Sequence, residues 1–438
     1  MIGEAGKSSG SPHPRQVPIP IYLNLRADKI ANRLQQNEFL ADTKRAETMR
    51  DPVFITGSGH TKFGRLTANV EELVVEATRE ALADAGLGGQ DIDAVFLGHF
   101  NAGLVPDGFA SSLILQADAG LRYKPATRCE NACASGAAAI FAGLNTILAR
   151  KARHVLVVGV EKMTSNSTAD VTRALAKAGY QNDPVEAALS FPQLFGLAAK
   201  DYAARYQDPL PAMARIASKN HANAMANPLA QMHRRLSVED CATISERNPE
   251  IAPPLRLSDC SLITDGAAAV VLSSNDASRA SARRVRFAGT AHVSDLLPMS
   301  QRDLISFEGP ARAMATAYEE AGISVSDLDF AEVHDCFTIA ELLIYEAMGL
   351  ARQGRGISAL DEGIVFADGR TPVNLSGGLK AKGHPVGATG VSMHALAFRQ
   401  LTNGAGDMQR AGANLGLVFN MGGTAVANFA SVLAADRA

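Results

Sequence analysis

Residues 81–93 read ALADAGLGGQDID, and residues 317–329 read AYEEAGISVSDLD. The two stretches carry the same residue types at aligned positions: Ala85, Gly86, Asp91 and Asp93 in the first, and Ala321, Gly322, Asp327 and Asp329 in the second. Each stretch reads as a helix that ends at a glycine, because glycine readily adopts the left-handed conformation that closes many helices. A short turn and an apolar strand follow, at 94–97 and at 330–333. A shared pattern at one fixed offset predicts an internal duplication.

The similarity extends beyond these stretches, in three further pairs of segments. Residues 53–57 (VFITG) and 285–289 (VRFAG) each read as a first strand, 133–136 (CASG) and 384–387 (HPVG) each open a helix of small residues, and 155–160 and 415–419 each read as a buried strand. These patterns predict two α/β halves whose central sheets lie side by side.

The repeat also suggests where the chain divides into domains. Residues 1–50 are polar with a cluster of prolines, and we interpret them as an N-terminal extension. Residues 51–164 together with 255–281 form the predicted N-terminal half, and residues 282–438 form the C-terminal half. Residues 165–254 between them are helical in composition and are predicted to be an inserted loop domain that covers a site built by the two halves.

Composition excludes several classes of protein. The chain has 438 residues, of which 47% are hydrophobic and 20% charged, with a formal net charge of -3. No Lys/Arg-rich run is present, which argues against nucleic acid as a partner. The longest apolar stretches fall short of the roughly 20 residues that a membrane-spanning helix needs. Because the N-terminal sequence lacks the apolar core of a secretion signal, we expect a cytoplasmic protein.

Five cysteines, an odd number in a large chain, argue against a disulfide framework, and because they form no Cys-x-x-Cys pair no structural zinc site is expected. Cys133 stands at the predicted start of a helix of small residues. A helix N-terminus stabilises a thiolate, so a lowered pKa is expected for this thiol. By itself this position is equally compatible with an inert cysteine that is buried for packing. His384 opens the matching helix of the second half, and a pseudo-twofold axis would bring the two helix starts to one centre, which favours catalysis.

Three motifs resemble those of the thiolases, in particular the sterol-carrier-protein type and bacterial acetyl-CoA acetyltransferases. They are ENACASG at 130–136, HDCF at 334–337 and GHPVGATG at 383–390. The resemblance covers about residues 52 to 435. It implies the thiolase fold, with two pseudo-twofold-related βαβαβαββ halves in a five-layered αβαβα arrangement and an inserted loop domain.

The resemblance also implies catalytic roles. Cys133 resembles the nucleophile that takes the acyl group, and His384 would activate it and donate to the thioester oxygen. His334 replaces the Asn of other thiolases and would donate to the enolate oxygen. Cys336 is the expected acid/base, because the C-terminal Cys-x-Gly motif of other thiolases reads NMGG at 420–423 in this chain.

Further residues are carried over from the same family. Gly422, with the N–H of Cys133, would complete a second oxyanion hole. Ser261 and His221 would bind the substrate along the pantetheine channel. No metal and no tightly bound cofactor are implied, and coenzyme A acts as substrate or product.

The implied function is that of a thiolase-type acyl-CoA acyltransferase that forms or cleaves 3-ketoacyl-CoA, acting as a homodimer or homotetramer on acyl-CoA substrates. Ketoacyl synthases share the fold but lack the HDCF motif. Two other readings stay open: a non-condensing acetyltransferase, and a thiolase-like subunit that depends on a complex with a small OB-fold zinc-ribbon partner. The intact set of two cysteines and two histidines argues against an inactive scaffold.

Overall fold

The computed structural model describes residues 51–437, in which nine strands form one mixed sheet and two form a separate hairpin. The strands are β1 (Val53–His60), β2 (Ala94–Gly98), β3 (Ala126–Cys129), β4 (His154–Glu161), β5 (Glu250–Ala252), β6 (Leu255–Arg256), β7 (Gly266–Ser274), β8 (Val285–Ser294), β9 (Phe330–Val333), β10 (Leu415–Gly422) and β11 (Ala427–Ala435). Strands β5 and β6 form the hairpin. The predicted N-terminal extension, residues 1–50, lies outside the described residues.

The order of the strands in the large sheet reflects the duplication seen in the sequence. The large sheet runs β3-β2-β4-β7-β1 and continues as β8-β11-β10-β9, which is the mirrored order of the equivalent strands. The two halves join where β1 and β8 pair, through Phe54 with Arg286 and Ile55 with Val285. The predicted pair of α/β halves is therefore confirmed.

Thirteen α-helices occur among the described residues. They are α1 (Val70–Ala85), α2 (Ala110–Leu113), α3 (Ser135–Leu148), α4 (Thr168–Ala176), α5 (Pro184–Ala187), α6 (Phe191–Arg205), α7 (Leu210–Ala224), α8 (Val238–Ala242), α9 (Asn275–Ser278), α10 (Glu308–Ala321), α11 (Thr338–Ala347), α12 (Ile357–Asp361) and α13 (Thr389–Leu401). A π-helical turn occupies Gly378–Lys382. Within residues 51–437, no helix is both long and apolar enough to cross a membrane.

The glycines of the repeat end their helices in the same way. Gly86 closes α1 with φ 67° and Gly322 closes α10 with φ 68°. Both lie in the left-handed region, which costs glycine little because it has no Cβ. The helix thus ends at the same point in each half, and the chain turns back toward the sheet.

The aspartates of the repeat connect this turn to a distant strand. Asp93 Oδ2 accepts hydrogen bonds from the backbone N–H groups of Arg153 and His154, at 2.7 and 3.0 Å. Asp329 Oδ2 accepts from Asn414 and Leu415 in the second half, at 2.7 and 2.9 Å. Each carboxylate thereby fixes the start of its buried strand, β4 or β10, beside the strand that follows the repeat.

Helices α3 and α13 form the middle layer between the two halves of the sheet. They contact each other, α13 contacts strands of both halves, and α3 reaches β11 through Phe141, whose ring centroid is 5.0 Å from that of Phe429. Helix α1 covers β1 and β7 on one outer side, and α10 covers β8 and β11 on the other. This is the predicted five-layered arrangement.

The starts of α3 and α13 meet through glycines. A Cβ on Gly136 would lie 2.8 Å from the carbonyl oxygen of Gly387, and a Cβ on Gly390 would lie 2.3 Å from the backbone nitrogen of Ala137. Only glycine allows the two backbones to approach so closely. Because Cys133 precedes α3 and His384 precedes α13, this contact places both residues at one centre.

The segment predicted as an insertion folds mainly as helices α4 to α8. Helix α7 packs on α8, on α11 and on the Gly378–Lys382 turn. Lys219 and Asn220 on α7 reach Glu341 of α11, with Lys219 Nζ 2.9 Å from Glu341 Oε1 and Asn220 Nδ2 2.6 Å from Glu341 Oε2. This buried contact ties the segment to the helix that follows the HDCF motif.

Candidate active site

Cys133 lies in a tight turn between β3 and α3. The helix begins at Ser135, and Ala132 just before the cysteine has a left-handed φ of 50°. Ser135 Oγ accepts from the backbone N–H of Asn131 at 2.9 Å and donates to the carbonyl of Ala132 at 2.6 Å. The turn is therefore held by its own serine, which presents the thiol at the start of the helix.

The structure brings the four predicted catalytic residues together. Cys133 Sγ and one ring nitrogen of each of His334 and His384 lie within 4.8 Å of one another. The rings of the two histidines are 5.1 Å apart between centroids, at an interplanar angle of 86°. Cys336 lines a cavity of about 50 Å³ together with Cys133 and His384. The expectation that the site works without a metal stays a prediction.

Hydrogen bonds define the tautomer of His384. Its Nδ1 lies 2.7 Å from Thr389 Oγ1, and that hydroxyl donates its own proton to the carbonyl of Pro385 at 3.0 Å. Thr389 therefore accepts from His384 Nδ1–H. Burial and the nearby Lys382 lower the pKa of His384 to about 3, so the ring is neutral. Neutral His384 thus has an unprotonated Nε2 that can take a proton.

His334 has the opposite tautomer, because of Asn420. Asn420 Nδ2 lies 2.8 Å from His334 Nδ1 and donates at 3.2 Å to the carbonyl of Cys133. An amide NH₂ only donates, so Nδ1 of His334 accepts. Burial, His384 and Lys382 hold the pKa of His334 well below its usual value. The neutral ring therefore carries its proton on Nε2, where it can be donated.

The expected lowering of the Cys133 pKa is wrong for the free protein. Burial raises the pKa of this thiol to about 12, with a further contribution from the negative charge of Glu161. The backbone N–H groups of Gly423 and of Cys133 itself act in the opposite direction but are outweighed. Desolvation disfavours the charged form of any buried acid. The resting site therefore holds a thiol, which must lose its proton as it attacks.

Cys336 lies between β9 and α11, and its thiol is also protonated. Burial raises its pKa well above the usual value, and the neighbouring Cys133 and Asp335 add to the shift. The carbonyl of Cys336 accepts from the backbone N–H of Ser261 at 2.9 Å. Ser261 thus holds the backbone of Cys336 in place, and it also lines the small cavity around Cys133.

The glycine that contacts the thiol is one residue beyond the predicted one. The N–H that acts on Cys133 is that of Gly423, which has a left-handed φ of 62° and lines the cavity beside the thiol. Gly422 ends β10, and a Cβ on it would lie 2.3 Å from the carbonyl oxygen of Asn131. Gly422 therefore permits the close approach of the Cys133 turn to β10, and its N–H donor role stays a prediction.

The two predicted substrate-binding residues line different cavities. Ser261 lines the cavity around Cys133 and a larger adjoining one of about 470 Å³. His221 lines a separate cavity of about 410 Å³ with Arg234, Arg247 and Lys380. Its Nδ1 donates to the carbonyl of Arg234 at 3.0 Å, and burial lowers its pKa to about 4. Leu257 and Leu262 line both larger cavities, so the two are neighbours.

Two buried carboxylates support the site, and sequence reasoning missed one of them, Glu161. Glu161, fully buried, accepts from the backbone N–H groups of Phe100, Asn101 and Gly387, each at 3.0 Å. Asp335 accepts from Leu379 at 2.6 Å and Lys380 at 3.1 Å. Both hold loops that carry or flank catalytic residues. A buried acid at the end of a predicted strand, as in VEK at 160–162, was the available signal.

Comparisons with known proteins agree with this geometry. The model of the thiolase N-terminal domain matches residues 53–239, and the model described as thiolase C-terminal domain-like matches residues 291–435. The chain belongs to the thiolase family. It is 38% identical over 380 residues to the acetyl-CoA acetyltransferase of Methanothermobacter thermautotrophicus, a match that covers 86% of this chain and 97% of that protein.

This thiolase is also similar to a eukaryotic relative and to solved structures. Human sterol carrier protein 2 is 31% identical over 394 residues, which cover 84% of this chain and 70% of that protein. Among solved structures, the Ltp2-ChsH2(DUF35) aldolase has a TM-score of 0.74 at 22% identity, over 88% of this chain and 98% of that one. Human mitochondrial 3-ketoacyl-CoA thiolase has a TM-score of 0.66 at 19% identity, over 88% and 99%. These two structural similarities show the fold.

Proposed function

We propose that this thiolase transfers acyl groups between CoA thioesters and forms or cleaves 3-ketoacyl-CoA through an acyl-enzyme on Cys133. The observation that carries the proposal is the pair of neutral histidines in opposite tautomers beside two cysteines. One ring accepts a proton at Nε2 and the other donates from Nε2. Acyl transfer requires a proton acceptor for the attacking thiol, and condensation requires a proton donor for the enolate oxygen.

In the first step, His384 Nε2 takes the proton of Cys133 as the sulfur attacks the thioester carbonyl. The oxyanion accepts hydrogen bonds from backbone N–H groups of the Cys133 turn and of the Gly422–Gly423 pair. When the C–S bond to CoA breaks, the leaving CoA thiolate receives the proton from His384. Because the resting thiol has a pKa of about 12, the general base is needed at neutral pH.

In the second step, Cys336 gives its proton to His384 and then takes a proton from the α-carbon of a second acyl-CoA. The enolate oxygen accepts from His334 Nε2–H. The enolate carbon attacks the Cys133 thioester, a carbon–carbon bond forms, and the thiolate of Cys133 leaves. His384 returns its proton to Cys133, and Cys336 keeps the α-proton, so both thiols and the neutral His384 ring are restored at the end of the cycle.

The test is incubation with acetyl-CoA followed by peptide mass spectrometry, together with thiolysis assays on 3-ketoacyl-CoAs of graded chain length. We expect one acetyl group on the Cys133 peptide and release of shortened acyl-CoA. A modified Cys336 peptide with Cys133 untouched would contradict the assignment. Acetylation without thiolysis or condensation would instead favour the non-condensing acetyltransferase.

We also propose an oligomeric state and a partner for this enzyme. A homodimer or homotetramer is favoured because β3 ends the large sheet and, within residues 51–437, pairs with β2 alone, so that a second copy can extend the sheet at its other edge. A small OB-fold zinc-ribbon subunit is a further proposed partner, supported by the similarity to the Ltp2-ChsH2(DUF35) aldolase, whose name joins two components. A monomeric mass in light scattering at micromolar concentration would contradict the homo-oligomer.

We propose a cytoplasmic enzyme of lipid metabolism with coenzyme A as substrate or product and no tightly bound cofactor. The similarity to sterol carrier protein 2 supports the lipid setting. The division into residues 51–164 with 255–281, 165–254 and 282–438 is likewise proposed. Limited proteolysis that cuts first within 165–254 would support the separate character of the insertion.

A further inference from the structure

Asn420 occupies the position at which other thiolases have the cysteine of their Cys-x-Gly motif. It lies in β10, is fully buried, and uses its amide nitrogen twice, toward His334 Nδ1 at 2.8 Å and toward the carbonyl of Cys133 at 3.2 Å. Among the described residues, no hydrogen-bond partner is found for its Oδ1. The side chain therefore acts only as a donor here.

The orientation of this amide is well determined by its neighbours. Rotating the amide by half a turn would put Oδ1 against the carbonyl of Cys133, so that two acceptors would face each other. The orientation with Nδ2 toward both His334 and Cys133 is the one that satisfies both acceptors.

This arrangement links two catalytic groups through one side chain. One N–H of Asn420 holds the backbone of the Cys133 turn, and the other fixes the protonation of the His334 ring. Three charged or titratable groups lie near His334. They are Cys133, which precedes α3, and His384 and Lys382, which precede α13. Among the described residues, the hydrogen bond found at His334 Nδ1 is the one from Asn420.

We infer that Asn420 is a positioning residue for condensation, which holds His334 in the tautomer whose Nε2–H stabilises the enolate oxygen. The inference rests on the proposed function, because the enolate arises only if the enzyme condenses or cleaves 3-ketoacyl-CoA. It assigns a role to a side chain at a position where the usual catalytic thiol of the family is absent. Acyl transfer to Cys133 does not depend on this role, since His384 supplies the base.

The first test uses the wild-type enzyme with ¹⁵N-labelled histidine. NMR at neutral pH should show His334 protonated at Nε2 and His384 protonated at Nδ1, with each ring assigned from a histidine-to-asparagine variant. The reverse tautomer at His334 would overturn the inference. This measurement requires neither activity nor a folded Asn420 variant.

The second test compares Asn420→Asp and Asn420→Leu with Asn182→Asp, an exposed loop residue that undergoes the same chemical change. In Asn420→Asp the carboxylate accepts from Nδ1–H, so a neutral His334 has a bare Nε2. We expect condensation at pH 9 to fall about 100-fold or more and to recover as His334 becomes protonated at lower pH. Asn420→Leu should lower condensation without this pH dependence.

In both Asn420 variants, acetylation of Cys133 should fall at least tenfold less than condensation, because the His384 base is untouched and only the hydrogen bond to the Cys133 carbonyl is lost from the first step. Asn182→Asp should match the wild type in every assay. Equal losses of acetylation and condensation with an unchanged pH profile would indicate a merely structural residue and overturn the inference. Wild-type enzyme that neither acetylates nor condenses would instead refute the proposed function, while the NMR tautomers would still be measured.

Discussion

The rings of His334 and His384 lie nearly at right angles, with centroids 5.1 Å apart. Each ring is held at Nδ1, but Asn420 donates to one and Thr389 accepts from the other. A proton donor and a proton acceptor thus face the same cavity, although both residues are histidines. The hydrogen-bond partner at Nδ1 therefore decides which ring donates a proton and which accepts one.

Thr389→Val should impair the base without removing it. Valine keeps the shape of threonine but cannot accept from His384 Nδ1–H, so the buried N–H loses its partner. A loss of about 1–3 kcal/mol is expected for such a group, which corresponds to roughly 5- to 160-fold slower acetylation of Cys133. Thr402→Val at the end of the same helix removes a hydroxyl that donates to Phe398, and it should acetylate normally. Equal rates in the two variants would contradict the role of Thr389.

Cys336→Ser should separate the two half-reactions. Acetylation of Cys133 needs only Cys133 and His384, whereas condensation needs the second thiol to carry the α-proton. We expect acyl-enzyme to form while condensation and thiolysis fall by about two to four orders of magnitude. Cys129→Ser, which changes a half-buried thiol in β3, is the matched control. Wild-type condensation in Cys336→Ser would show that the proton moves by another route, with His334 as the next candidate.

The pH dependence of alkylation should report the protonated state of Cys133. Because burial raises its pKa to about 12, the thiolate fraction increases with pH throughout the neutral and alkaline range. The rate of iodoacetamide labelling at the Cys133 peptide should therefore rise roughly tenfold per pH unit between about pH 7 and 9. A plateau below pH 8 would reveal a preformed thiolate–imidazolium pair and refute this assignment.

Gly390→Ala should destabilise the fold through the contact of the two central helices. The added Cβ would lie 2.3 Å from the backbone nitrogen of Ala137, and neither backbone can move without displacing its helix. Overpacking of this kind costs about 1–3 kcal/mol or more. Gly404→Ala, three residues after α13, meets its nearest atom at 3.6 Å and should be tolerated. Chemical denaturation of both variants checks the difference.

Much of the architecture was predictable because the signals were local. Gly86 and Gly322 end their helices, and the strands after Asp93 and Asp329 are β2 and β9, as the repeat predicts. The meeting of Cys133 and His384 followed from the symmetry of the two halves. The predicted roles of these residues rest on the resemblance and stay to be tested.

Other features depend on contacts that sequence does not reveal. The pKa of Cys133 rises because burial and Glu161 outweigh the backbone N–H groups, a balance set by the packed site. Asn420 and Thr389 act through hydrogen bonds whose geometry arises only when β10 and α13 are in place. The choice between Gly422 and Gly423 is a difference of one residue in a turn. His221 lies in a neighbouring cavity because α7 turns that side chain toward Arg234.

The two aspartates that anchor β4 and β10 point to the history of the chain. The two halves keep the same anchoring carboxylate but differ just before the central helix, where the first half has Cys133 and the second has His384. The reacting groups therefore come from what differs between the halves, whereas the carboxylates and the helix-closing glycines keep what the halves share.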